Sequence, residues 1–83
     1  MDANLLIERL GHQIESMRKA RGLTQLQLAA QSGLTRQKLA EIEKGSPTVS
    51  MKFYASALAA LGAEISVVPA RRPSFEELRE VFR

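Results

Sequence analysis

Four glycines, Gly22, Gly33, Gly45 and Gly62, each close a stretch whose apolar residues recur at helical spacing, so residues 3–62 read as a succession of short helices with abrupt ends. From Ala3 to Arg21 there is no proline, and Leu6, Leu10, Ile14 and Met17 recur at steps of four, four and three, on one face of a helix that Gly22 ends. Thr24-Gln25-Leu26-Gln27 has the form of a capping box, with the Thr24 hydroxyl accepting from the Gln27 amide and the Gln27 side chain reaching back. The short helix that follows turns Leu28 and Ala29 inward and breaks at Ser32-Gly33. Thr35 then caps a third helix, Thr35 to Lys44, which buries Leu39 and Ile42 and stops at Gly45-Ser46-Pro47. A fourth begins near Ser50 and carries Met51, Tyr54, Ala55, Leu58 and Leu61, with Phe53 and Tyr54 as core or interface residues.

After Gly62 the period changes from helical to alternating. Glu64-Ile65-Ser66-Val67-Val68 is rich in β-branched residues and closes at Pro69, which predicts a strand. A lone strand leaves its backbone donors and acceptors unpaired, and no other segment of the chain is a candidate partner. The economical solution is the same strand of a second copy, antiparallel across a two-fold axis, with Ile65, Val67 and Val68 as dimerisation residues. Ala70-Arg71-Arg72 then leads to Pro73-Ser74-Phe75-Glu76-Glu77, a further capping signature before an amphipathic stretch with Phe75, Leu78, Val81 and Phe82 on one side. The expected architecture is all-α, with four to five helices and one C-terminal strand per subunit. It divides into residues 1–62, a dimerisation strand at 63–69 and a tail at 70–83.

A chain of 83 residues forms one domain, and at this size a monomer buries only about 60% of its unfolded surface, which dimerisation would remedy. There is no cysteine, so neither disulfides nor thiolate metal sites hold it together. The amino terminus lacks the features of a signal peptide, and no apolar run approaches the roughly 20 residues that span a bilayer, so a cytoplasmic protein without membrane attachment is expected. An enzyme is not: there is one histidine, on the side of its helix opposite the apolar stripe, with no glycine-rich phosphate loop and no paired carboxylates in a pocket-forming setting. No catalytic residue, metal or cofactor is assigned.

The formal charge is +3, but it is unevenly spread. Arg18, Lys19, Arg21, Arg36, Lys38, Lys44 and Lys52 stand against only Glu41 and Glu43 between residues 17 and 52, whereas the preceding residues are net acidic. Such an excess on one segment suits a surface that meets a polyanion. Two short helices joined by a tight glycine-containing turn, between two further helices, form a helix-turn-helix arrangement. Its second short helix offers an exposed polar face with Thr35, Arg36 and Gln37, then Ala40, Glu41 and Lys44. Arginine pairs bidentately with guanine and glutamine with adenine, so Arg36 and Gln37 are the leading base readers. Thr35 is a further candidate, and Ala40 lets the helix sit deep or touches a thymine methyl. Glu41 either accepts from cytosine N4 or is repelled to the groove edge. Candidate phosphate contacts are Thr24 and Gln25 at the start of the second helix, with Lys38, Lys44 and Lys52.

The run Gly22-Leu23-Thr24-Gln25, Leu28-Ala29, Gly33-Leu34, Leu39, Ile42-Glu43 and Gly45 resembles the Cro/C1 (Xre) family of phage and bacterial repressors over about residues 6–62. The resemblance implies a dimer on an inverted-repeat operator in double-stranded DNA, and that Glu43 pairs with Arg18 instead of touching DNA. A fourth helix running through Leu61-Gly62 into a strand is similar to the HipB-like antitoxins. That implies autoregulation of an operon together with binding of a toxin, in that family a HipA-like kinase. The Phe75–Phe82 stretch departs from this pattern and reads as core cover, as a solvated tail, or, the reading preferred, as a partner-binding segment anchored by Phe75, Leu78 and Phe82. A stand-alone transcriptional regulator and a protein-interaction module on the same fold are the alternatives.

Overall fold

A computed structural model describes residues 2–70. They form four helices: α1 (Ala3–Ala20), α2 (Gln25–Ser32), α3 (Arg36–Glu43) and α4 (Met51–Ala60). Local chemistry sets their ends. The Thr24 hydroxyl accepts from Gln27 N at 3.1 Å while Gln27 Oε1 accepts from Thr24 N at 2.8 Å, completing the expected capping box of α2. The Thr35 hydroxyl caps α3 by accepting from Lys38 N at 3.0 Å. Gly33 leaves α2 with φ +72°, a left-handed conformation that costs a residue with a Cβ about 1–2 kcal/mol. That turn brings α3 back across α2, which packs against both α3 and α4, while α1 closes the other side against α3 and α4.

The core gathers Ile14 of α1, Leu28 and Ala29 of α2, Leu39 and Ile42 of α3, Val49, and Tyr54, Ala57 and Leu58 of α4 with Leu61 after it. Two expected inward faces are rotated. On α1, Leu6 is exposed, and Ile7 takes its place beside Leu10 and Met17 at the edge of the core. On α4, Met51 and Ala55 face outward, while Ala57 is fully buried and Phe53 half-buried. The rotation of α1 follows from a close backbone contact. A methyl group at Gly11 would overlap the Ile42 carbonyl oxygen, and one at Gly45 would overlap the backbone of Glu8, so α1 and the end of α3 meet where neither carries a side chain.

The expected strand is not present: residues 63–70 carry neither helix nor strand among the described residues. A strand is defined by its ladder, and none of the described residues pairs with this segment. Ile65, Val67 and Val68 are 50, 96 and 69% exposed. The segment that includes Phe75, Leu78 and Phe82 lies outside the described residues. Among the described residues no helix is long and apolar enough to cross a membrane.

Candidate nucleic-acid interface

Leu39, Ile42 and Glu43 turn inward from α3. At about 100° per residue this leaves Gln37, Glu41 and Lys44, spaced four and three apart, as the outward ridge of the helix. Arg36 and Ala40 lie on the flank that faces α1, where with Lys44 they line a cleft of about 640 Å³ whose other wall is Glu8, His12 and Glu15. Lys38 lies on the opposite flank, toward α4. Thr35, Arg36, Gln37 and Lys44 are exposed, and Ala40 and Glu41 partly so. Of the five residues assigned to base reading, Gln37 and Glu41 therefore stand on the outward ridge, Arg36 and Ala40 on the flank toward α1, and Thr35 at the N-cap of α3.

Beneath that helix runs a buried polar network. Arg18 Nε donates to Glu43 Oε2 at 2.7 Å and Nη2 to Oε1 at 3.1 Å, a bidentate pair between α1 and α3. Arg18 Nη1 donates to the Leu23 carbonyl at 2.7 Å, so the same guanidinium also holds the chain entering α2. Glu43 Oε1 accepts a further bond from Gln25 Nε2 at 3.0 Å. The hydrogen bonds to Glu43 raise the pKa of Arg18 against the opposing effect of burial. With both residues less than a tenth exposed, Glu43 is a fixture of the scaffold, as the Arg18 pairing implied.

Of the residues assigned to phosphate contact, the network holds Gln25 alone. Gln25 is half-buried, with its amide committed to Glu43, and it stands at the first turn of α2, where the amides of Gln25 and Leu26 have no carbonyl one turn behind them. Thr24 commits its amide to Gln27 Oε1 and its hydroxyl oxygen to Gln27 N, leaving the hydroxyl proton to donate. Lys44 is exposed on the ridge, and Lys52 is exposed on the first turn of α4. Lys38 differs: its ammonium lies 3.6 Å from Glu41 Oε1 and 5.2 Å from the centre of the Phe53 ring.

Sequence reasoning missed Phe53 as a neighbour of this face and the acidic wall contributed by α1. His12 is exposed, as expected, with Nδ1 3.7 Å from Glu15 Oε1 at the cleft's edge. The side of α1 opposite its apolar stripe gave the signal for the histidine, but its proximity to α3 depends on the Gly11 contact.

A helix-turn-helix domain family matches residues 9–71 of the chain. An immunity repressor protein of Bacillus phage phi105 is 37% identical over 59 residues, which are 71% of this chain and 41% of the phage protein. The chain thus spans about two-fifths of the length of that curated relative. The crystal structure of the clp gene regulator ClgR from C. glutamicum is similar with a TM-score of 0.63 and 39% identity, covering 71% of this chain and 77% of that one. With the capped α2–α3 pair and the buried link to α1, these similarities establish that the chain belongs to the Xre-type helix-turn-helix family.

Proposed function

We propose that this chain is a sequence-specific DNA-binding transcriptional repressor that places α3 in the major groove. The observation that carries this reading is the polar ridge and flank of α3, held by the Arg18–Glu43–Gln25 network at a fixed orientation to the open first turn of α2. Arg36 and Gln37 read base edges, with Thr35, Ala40 and Glu41 beside them. The first turn of α2, with Thr24 and Gln25, receives one phosphate, and Lys44 and Lys52 add ionic contacts. The names of the phage immunity repressor and of the clp gene regulator agree with a role in transcription.

The working unit in this reading is a cytoplasmic homodimer joined through residues 63–69, with Ile65, Val67 and Val68 at the interface; their exposure in the single chain supports it. Two recognition helices related by a two-fold axis would then meet half-sites about 34 Å apart on an inverted repeat. In its narrower form the proposal makes the chain a HipB-like antitoxin that represses its own operon and binds a toxin, a HipA-like kinase, through Phe75, Leu78 and Phe82.

Selection of genomic fragments on the full chain tests the DNA-binding reading. Enrichment of an inverted repeat supports it, and recovery of fragments without sequence preference contradicts it. A pull-down from the native host, comparing the full chain with a version ending at Pro69, tests the antitoxin reading. One stoichiometric protein partner that is lost with the truncation supports it. DNA without a protein partner in both samples leaves a stand-alone repressor.

A further inference from the structure

We propose that Lys38 is a positioning residue for base recognition: from the α4 side of α3 it neutralises and orients the Glu41 carboxylate, which reads a cytosine. The inference rests on the DNA-binding reading above and replaces a phosphate-gripping role for Lys38.

Glu41 shares the ridge of α3 with Gln37 and Lys44, and its side chain is 43% exposed. A helix that seats Gln37 in the groove seats the backbone of Glu41 one turn further along the same line. An uncompensated negative charge there would face the field of both phosphate strands. Lys38 supplies the compensation, with Nζ 3.6 Å from Glu41 Oε1. Its position is not left to the flexibility of a surface lysine. The ammonium also sits 5.2 Å from the centre of the Phe53 ring, and Phe53 is packed against the core from α4. The Lys38 cation is thus drawn both to an aromatic face and to a carboxylate.

The chemistry selects the base. An ionised carboxylate only accepts hydrogen bonds. In the major groove cytosine presents the N4 amino donor, whereas adenine sets its N6 donor beside the N7 acceptor, and guanine and thymine present acceptors. A carboxylate at Glu41, turned by its 3.6 Å pairing with Lys38, therefore favours cytosine.

The test is selection from a pool of randomised duplexes by the full chain and by three variants, Glu41→Gln, Lys38→Gln and Lys38→Arg, reading the base frequencies at each operator position. The unaltered chain is expected to show one cytosine position per half-site, with discrimination of about tenfold, as for a single good base contact. Glu41→Gln should turn that position to adenine. Lys38→Gln should erase the preference there alone, and Lys38→Arg should restore it. A Lys38→Gln variant that keeps the cytosine position while binding all duplexes more weakly, with a salt dependence reduced by about one ion, would show a phosphate contact and overturn the inference. So would selection by the unaltered chain of an inverted repeat whose bases are indifferent to Glu41→Gln. A complete lack of sequence preference in the unaltered chain would remove the DNA-binding reading itself.

Discussion

Arg18 and Glu43 meet across the contact of α1 with α3 in a bidentate pair, Nε to Oε2 at 2.7 Å, and Glu43 passes the contact on to Gln25 at the start of α2. Three helices are thereby referred to one buried carboxylate. A charged pair in this setting contributes little net stability compared with an apolar pair of the same volume, but the loss of one partner leaves the other charge buried alone. Arg18→Met should accordingly cost about 3–5 kcal/mol, and the double variant Arg18→Met/Glu43→Leu should recover much of that loss. Urea denaturation of the four proteins of this cycle gives the comparison.

Gly11→Ala reverses the usual sign of a glycine-to-alanine change in a helix. Propensity alone favours alanine by about 1 kcal/mol. The added methyl, however, meets the Ile42 carbonyl oxygen and the Gly45 amide nitrogen, backbone atoms that cannot swing aside as a side-chain end would. Overpacking of this kind costs about 1–3 kcal/mol, and a lowered melting temperature is expected. Gly22→Ala, with nothing within 4 Å, carries only the strain of its φ of +69° and should not disturb the packing of α3. Amide chemical shifts of residues 36–44 separate the two cases: displaced in the Gly11 variant, unchanged in the Gly22 variant.

Tyr54 ties α4 to the turn after α3 by donating from its hydroxyl to the Ser46 carbonyl at 2.8 Å. Burial raises its pKa above the ordinary value of 10.0. A group whose folded pKa lies above its unfolded one contributes stability that is complete below the unfolded value and lost as pH rises through the folded value. Tyr54→Phe should thus lower stability at neutral pH by about 1 kcal/mol, the net worth of one hydrogen bond, and flatten the decline of stability above pH 10. Thermal melts from pH 7 to 11 provide the check.

Much of this arrangement is legible in the sequence where the signal is local. Thr24 with Gln27, Thr35, Gly33 and Gly62 each act on their own neighbours in the chain, and each marks a boundary that the structure reproduces within a residue. Faces are less legible than boundaries. The periodicity of α1 fits a stripe through Leu6 almost as well as one through Ile7, and the choice is made by the approach of Gly11 to the end of α3, a contact between residues more than thirty positions apart. Lys38 illustrates the same limit on the site: its spacing on α3 is compatible both with a phosphate contact and with an i,i+3 pair to Glu41, and the Phe53 ring that approaches it from α4 is not legible from α3 alone. The alternation over Glu64–Val68 describes a segment able to pair, but none of the described residues forms a ladder with it.

Arg36→Ala and Lys44→Ala should separate recognition from grip. Arg36 on the flank of α3 is assigned to a base edge, so its loss should relax selection at one position and cost about 1–3 kcal/mol on the preferred duplex. Loss of Lys44 should weaken preferred and random duplexes alike and reduce the salt slope by about one ion. Fluorescence anisotropy titrations at several salt concentrations distinguish the two patterns.

The central claim, that α3 reads DNA in the major groove, is tested most directly by footprinting the full chain on the inverted repeat that it selects. Protection of two half-sites about one helical turn apart is expected, with guanine N7 methylation in the major groove blocking binding and Arg36→Ala relieving the block at one guanine. Binding that is indifferent to major-groove methylation, or protection without two-fold symmetry, would contradict it.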